Sequence, residues 1–366
     1  MNILIQLGHP AHFHLYKNVI RSLKEKGHSI FILIKTKDIL EQLLQEEGLE
    51  YVNIYSSVRG DTKYSIIKAI ITRLWRIALF SIKHHIDLLT GSSAEIAIVG
   101  KLLHRHSVIL GEDDAAIIPE FIKMAKPFMD SYLTPEACDM GSIENRVIKY
   151  RGYQKLAYLH PNCFTPNREI ASKYVNVEKP YFIIRFAQLK AYHDLHADAS
   201  GINTELAHKI ISILKPHGQV YITSERKLDD DLEIYRLSIN PLDIHHVLFY
   251  STLYIGDSQS MAVESALLGV PNIRFNDFVG KIGILNELED KYHLTIGIPA
   301  SNKEALLCKI DEIIKKQNIK EIYQENRKAM LSDVIDVNSF YSWFFENYPD
   351  SKHILKKNPD YQFKFK

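Results

Sequence analysis

Apolar positions along the chain fall into short runs that alternate with segments of helical periodicity. The run NILIQLG (2–8) ends in glycine, HLYKNVIRSLKEKGH (14–28) repeats its apolar positions at helical spacing up to a glycine stop, and SIFILI (29–34) is a second run. Strand, loop, helix and strand in that order open a parallel sheet. Further strands are expected at YVNIY (51–55), IDLLTG (86–91), AIVG (97–100), HSVILG (106–111) and SYLTP (131–135). The pattern restarts near VNVEKPYFIIRF: YFIIRF (181–186) is a strand, NTELAHKIISILKPHG (203–218) a helix and QVYITS (219–224) the next strand. LDIHHVLFYST (242–252) then reads as a helix before the strand LYIGDS, a helix over 261–268, the strand PNIRF, and a late helix NKEALLCKIDEIIKKQ (302–317) with Asn302 at its cap.

Two successive alternating blocks predict an α/β protein of two Rossmann-like, doubly wound parallel-sheet domains, with ligand loops at the carboxyl ends of the strands. A length of 366 residues agrees with two domains better than with one core, a large barrel being the rival. The expected division is 1–178 and 179–340, broken near Glu178-Lys179-Pro180. The aromatic and then basic tail, 341–366, would form a helix packing back on the junction and a frayed end.

Composition narrows the function. Lys+Arg and Asp+Glu nearly cancel, for a formal charge of +1, so nothing points to a general nucleic-acid partner. Three scattered cysteines fit reduced thiols in the cytoplasm. The N-terminus lacks the basic flank and long apolar core of a secretion signal, and no apolar run approaches the roughly 20 residues that span a bilayer. The 17 histidines include close pairs, yet none has a zinc-like interval to a cysteine or a second pair, and no metal is expected.

Chemistry concentrates in YIGDSQSMAVESALLGVPNIRF (254–275), where a strand delivers Asp257, Ser258, Gln259 and Ser260 to the start of a helix. Amides at a helix start lack intrahelical partners and sit at the positive dipole end, so they suit phosphate oxygens. Ser258 and Ser260 add hydroxyls, or cap the helix. Glu264, about one turn on, can accept two hydrogen bonds from a ribose diol. The same letters also fit an ordinary capped helix with an exposed acid.

This segment resembles the nucleotide-binding region of glycosyltransferase-B enzymes. In UDP-N-acetylglucosamine 2-epimerase and the N-acetylglucosaminyltransferase of peptidoglycan synthesis, a small-residue loop precedes a helix with E-A-x-x-L-G-x-P; this chain has E-S-A-L-L-G-V-P from Glu264 to Pro271. The whole chain is similar to a family of glycosyltransferase-B-like proteins through AYLHPN (157–162), IIRFAQLKAYHD (183–194), ITSE (222–225) and the 257–271 block. The resemblance implies a glycosyltransferase-B fold with its two domains facing a cleft. It implies that Ser258, Gln259 and Ser260 hold a diphosphate and Glu264 a ribose, with Gly269 and Pro271 shaping the turn that follows.

By the same resemblance, His245, with His246 beside it, stands where a nucleobase edge is read, although both also fit packing or surface histidines. Arg185, at the end of YFIIR, can neutralise a departing diphosphate. Lys190, His193 and Asp194 follow it, and Glu225 could meet base or sugar. His12 matches a loop histidine of the first domain, flanked by His9 and His14, but the glycine cluster of the pattern is missing around Gly8. Asp113, in GEDD (111–114) with Glu112 and Asp114, is a second candidate base. TGSS (90–93) is a further loop of the site.

The expected protein is therefore a metal-independent glycosyltransferase with no resident cofactor, a nucleotide sugar serving as co-substrate. Its partners would be a nucleotide-sugar donor, a UDP-sugar first among them, and a glycan or lipid-linked acceptor. The expected setting is surface polysaccharide or glycolipid assembly. A nucleotide-sugar 2-epimerase or hydrolase of the same fold, or a non-catalytic binder, is the alternative. The helix over 65–85 has apolar Ile66, Ile67, Ile70, Ile71, Leu74, Ile77 and Ala78 beside Lys68, Arg73, Arg76 and Lys83, with Trp75 among them. It reads either as a core-facing helix or as one resting on anionic lipid. The second option would place a cytoplasmic protein at the inner face of the membrane.

Overall fold

The structure is a computed structural model that describes residues 1–36, 39–55, 63–187 and 201–366. The chain divides into two compact units, Met1–Cys163 with Val334–Lys366, and Phe164–Asp333.

In the first unit seven strands form one parallel sheet: β1 (Asn2–Leu7), β2 (Ser29–Lys35), β3 (Val52–Tyr55), β4 (Leu88–Gly91), β5 (His106–Leu110), β6 (Ser131–Pro135) and β7 (Val147–Tyr150). Their order is β3-β2-β1-β4-β5-β6-β7, so the winding reverses between β1 and β4. β1 lies in register with β2 (Ile3 beside Ile30) and β4 (Ile3 beside Leu88), and Ile3, Leu4 and Ile5 are fully buried. One face packs Leu4, Leu33 and Leu89 against Ile77, Ile96 and Val99 of two helices. The unit is closed by the chain's own tail: Phe340, Tyr341, Phe344 and Phe345 are fully buried, and the Tyr341 hydroxyl donates to that of Tyr150.

The second unit holds β8 (Tyr181–Phe186), β9 (Gln219–Ser224), β10 (Leu253–Gly256), β11 (Asn272–Phe275) and β12 (Ile296–Ile298) in a parallel sheet of order β12-β11-β10-β8-β9. Here the reversal lies between β8 and β10. Phe182, Ile184, Leu253, Ile255, Ile273 and Phe275 form the core on one face with Leu206, Ile210 and Leu306 of flanking helices.

Several expectations need correction. AIVG is not a strand but part of the Ala94–Leu102 helix, six of whose nine residues are buried. A short helix hidden on most sides has no polar stripe to betray its period. β7 and β12 were not anticipated. The first break falls at Cys163, ahead of Glu178. The intervening segment is tied to the second unit, where the Asn167 amide donates to His246 Nδ1 (3.0 Å) and the Tyr174 hydroxyl to Asp243 (2.7 Å). The tail's end is not frayed: Gln362 is 2% exposed and its Oε1 accepts from the Arg151 amide at 2.6 Å.

Candidate functional site

Open α/β sheets bind ligands beyond the strand ends where the winding reverses, because the loops there diverge and leave a crevice. At the second unit's reversal, Gly256 ends β10 beside Arg185 of β8. A Cβ at Gly256 would lie 2.4 Å from the Tyr254 hydroxyl and 2.8 Å from Arg185 Cβ, so glycine is what lets these groups approach. The chain then turns into the Gln259–Leu267 helix. Ser258 caps it, its Oγ accepting from the Met261 amide at 3.4 Å. The amides of Gln259 and Ser260 precede the first intrahelical bond. Ser258 and Gln259 are half-buried and Ser260 is exposed. The far end of the helix closes on Gly269, at φ +67°, where Gln324 and Arg327 donate to the carbonyls of Leu267, Leu268 and Gly269.

Charged groups gather around this start. Arg185 pairs with Glu225, which follows β9, and its buried Nε has no hydrogen-bond partner among the described residues. Glu264 lies one turn into the helix with Oε1 3.4 Å from Nε2 of the buried His245, on the Ile244–Tyr250 helix. Asp257 is 6% exposed, and its Oδ1 accepts from the Ala187 amide at 2.6 Å. Burial raises its pKa to about 6, against the amide bonds and the Arg226 guanidinium, which lower it. The Tyr254 hydroxyl is pushed well above its usual range, first by burial. Arg185 opposes that shift, while Asp257, Glu264 and Glu225 add to it. One hydroxyl thus lies within electrostatic reach of four charged side chains.

Among the sequence candidates, Arg185, Glu225, His245, Ser258, Gln259, Ser260 and Glu264 come together here. Lys190, with His193 and Asp194, lies outside the described residues. His246 accepts from a backbone amide and lies tilted against Phe164 (4.8 Å between centroids), as a packing histidine does. Asp257 carries more of the local electrostatics than its place in the motif suggested. Arg226, whose guanidinium lies 4.9 Å over the Phe186 ring, and Asn276, whose amide donates to the Asp257 carbonyl, were not foreseen. The glycine immediately before Asp257 was the available signal.

At the first unit's reversal histidines, a glutamine and a serine gather, and Lys35 reaches Gly8, where a Cβ would lie 3.7 Å from its Nζ. His9 caps the Pro10–Glu25 helix, its Nδ1 accepting from the Ala11 amide, and Pro10 begins the first turn. His12 Nδ1 accepts from the Gly8 amide at 3.2 Å, an arrangement that places the proton of a neutral ring on Nε2. Across the crevice Ser93 donates to the buried Gln6, and a Cβ at Gly91 would lie 2.8 Å from the Gln6 carbonyl. His14 is buried against Phe13 and Tyr158. Beyond β5, Glu112 pairs with Lys155, and the buried Asp114 accepts from the Asp139 amide at 2.6 Å, which makes it a loop brace. Asp113 keeps an exposed surface, yet its pKa is raised by desolvation and by Glu112 and Asp114, with Lys155 opposing. The two neighbouring carboxylates would raise it even where solvent reaches the group. Among the described residues no group of three or more His, Cys, Asp or Glu could hold a metal ion.

Solved structures similar to this one share its architecture. The spinosyn rhamnosyltransferase SpnG complexed with thymidine diphosphate superposes with TM-score 0.64 at 13% identity, covering 94% of this chain and 100% of that one. The UDP-GlcNAc 2-epimerase of Methanocaldococcus jannaschii gives 0.60 at 15%, covering 90% and 99%. That of Neisseria meningitidis bound to UDP-GlcNAc gives 0.57 at 11%, covering 91% and 99%. The fold is glycosyltransferase-B, two parallel-sheet α/β units of seven and five strands. No curated protein matches the sequence. Residues 1–333 match the family described as "Protein of unknown function (DUF354)", and the chain belongs to that family.

Proposed function

We propose that the protein is a glycosyltransferase that takes its sugar from a nucleotide, a UDP-sugar in the first instance, for surface polysaccharide or glycolipid assembly. The β8/β10 reversal carries this reading: a capped helix start, an arginine and a carboxylate one turn on converge where the fold binds ligands. Solved structures of the same fold with thymidine diphosphate and with UDP-GlcNAc support it.

In this reading the amides of Gln259 and Ser260 and the serine hydroxyls receive the diphosphate, and Arg185 exchanges Glu225 for phosphate oxygens. Glu264, steadied by His245, accepts from the ribose hydroxyls. The acceptor oxygen attacks the anomeric carbon as the bond from that carbon to the diphosphate oxygen breaks, its electron pair leaving with the diphosphate. The acceptor's proton passes to a base in the first unit. His12 and Asp113 were the two candidates. With Nδ1 engaged by Gly8, His12 presents a donor, Nε2–H, suited to orienting a sugar oxygen. Asp113, its pKa raised by desolvation and by Glu112, suits the base better.

Melting curves with UDP, thymidine diphosphate and UDP-GlcNAc test the cradle. A ligand at about 100 times its Kd adds roughly 2.7 kcal/mol of stability, and Glu264→Ala is expected to lose about tenfold in affinity, on the order of 1.4 kcal/mol. Equal protection of wild type and variant would remove Glu264 from the site. A 2-epimerase is the second reading, favoured by the two epimerases of this fold. Turnover of UDP-GlcNAc with no acceptor present would decide for it.

A further inference from the structure

The Lys63–Lys83 helix carries apolar side chains on two opposite sides. Inward, Ala69, Ile77 and Ser81 are buried, and Ile77 packs with Leu4, Leu33 and Val99. Outward, Ile67, Ile71, Trp75, Leu79 and Ile82 are exposed by 57, 51, 65, 56 and 57%. The first four recur every fourth residue and so form one stripe along the helix. Single exposed hydrophobic residues are ordinary on a protein surface, whereas five large ones in a row mark a contact surface.

Charge indicates what covers the stripe. The helix sequence, KYSIIKAIITRLWRIALFSIK, has five Lys or Arg and no acid. Arg73 turns inward to Glu95 of the neighbouring helix at 2.8 Å, while Lys68, Arg76 and Lys83 remain exposed. A second copy packed on this face about a two-fold axis would set these cations against their own equivalents. An acidic lipid surface complements them, and an indole beside a stripe of aliphatic chains suits the headgroup level. Among the described residues no helix is long and apolar enough to cross a membrane, so the contact is with the surface plane.

We propose that the outward face of the Lys63–Lys83 helix docks on an anionic phospholipid bilayer, apolar stripe inserted and lysines on the headgroups. The proposal stands apart from the nucleotide reading, since none of its residues belongs to either strand-reversal site.

The test is co-sedimentation of the full chain with vesicles of phosphatidylcholine alone or with one third phosphatidylglycerol, read together with tryptophan emission. The expected result is at least tenfold stronger partition to the anionic vesicles, weakened by salt, with a blue shift of the emission. Trp75→Ser with Leu79→Ser should abolish the shift and weaken partition at least tenfold. Lys68→Glu with Lys83→Glu should weaken partition as much while leaving the apolar stripe whole. Equal partition to both vesicles, none to either, or no response to both double variants overturns the proposal. A concentration-dependent dimer dissolved by Trp75→Ser would overturn it too, assigning the stripe to a second copy.

Discussion

At the β8/β10 reversal an arginine and three carboxyl groups gather, already engaged: Arg185 with Glu225, Glu264 beside His245, Asp257 with the Ala187 amide. At the β1/β4 reversal a glutamine accepts from a serine and two histidines accept from the backbone through Nδ1, with a lysine, Lys35, beside Gly8. The difference teaches what each crevice is poised to receive. An arginine–carboxylate pair holds a charge in place until a phosphate offers a better match. Amide, hydroxyl and imidazole groups suit a ligand that is itself a mesh of hydroxyls, such as a sugar acceptor.

The sharpest way to break this division is to move chemistry from one side to the other. Asp113→Asn is expected to lower turnover by about 10²-fold or more while leaving UDP protection intact, and His12→Ala to lower it less. The opposite ranking, measured with any active acceptor, would return the base role to the imidazole. Loss of UDP protection in either variant would dissolve the division itself.

A smaller effect tests whether the second crevice holds strain. Asp257 titrates near 6 when folded, against 3.8 ordinarily, so the folded state retains its proton over that interval and the unfolded state does not. Its burial therefore costs nothing below about pH 4, and stability drains away as pH rises through 4 to 6. Above that the cost is on the order of 3 kcal/mol. Asp257→Asn, which keeps an acceptor for Ala187, should melt higher than wild type at pH 7.5, and the gap should close near pH 4. A gap independent of pH would mean the carboxylate is stabilised by something else.

The smallest effect separates a helix cap from a ligand contact. Ser258→Ala should lower stability by about 0.5–1 kcal/mol, since the capping bond is long. A loss of UDP affinity beyond that would show the hydroxyl working for the ligand as well.

Much of the architecture was readable from the chain, because buried parallel strands are uniformly apolar and glycines punctuate them. The 257–264 loop was readable too, since it is local in sequence. What failed was either short or distant. β12 spans three residues, too few for a pattern, and the Ala94–Leu102 helix is too buried to show one. The Ser93–Gln6 contact and the His245–Glu264 pair join residues far apart in the chain, as does the pairing of Arg185 with Glu225. The backbone bond that fixes the His12 tautomer depends on loop geometry that residue types do not encode.

The return of residues 334–366 to the first unit sets an order of events during synthesis. Everything the second unit needs has emerged by Asp333, whereas Tyr16 of the Pro10–Glu25 helix still lacks Phe345, and Tyr150 of β7 still lacks Phe340 and Tyr341. The half that starts first is finished last, and a protein cut where the family match stops, at residue 333, would leave Tyr16 and Tyr150 without those aromatic partners.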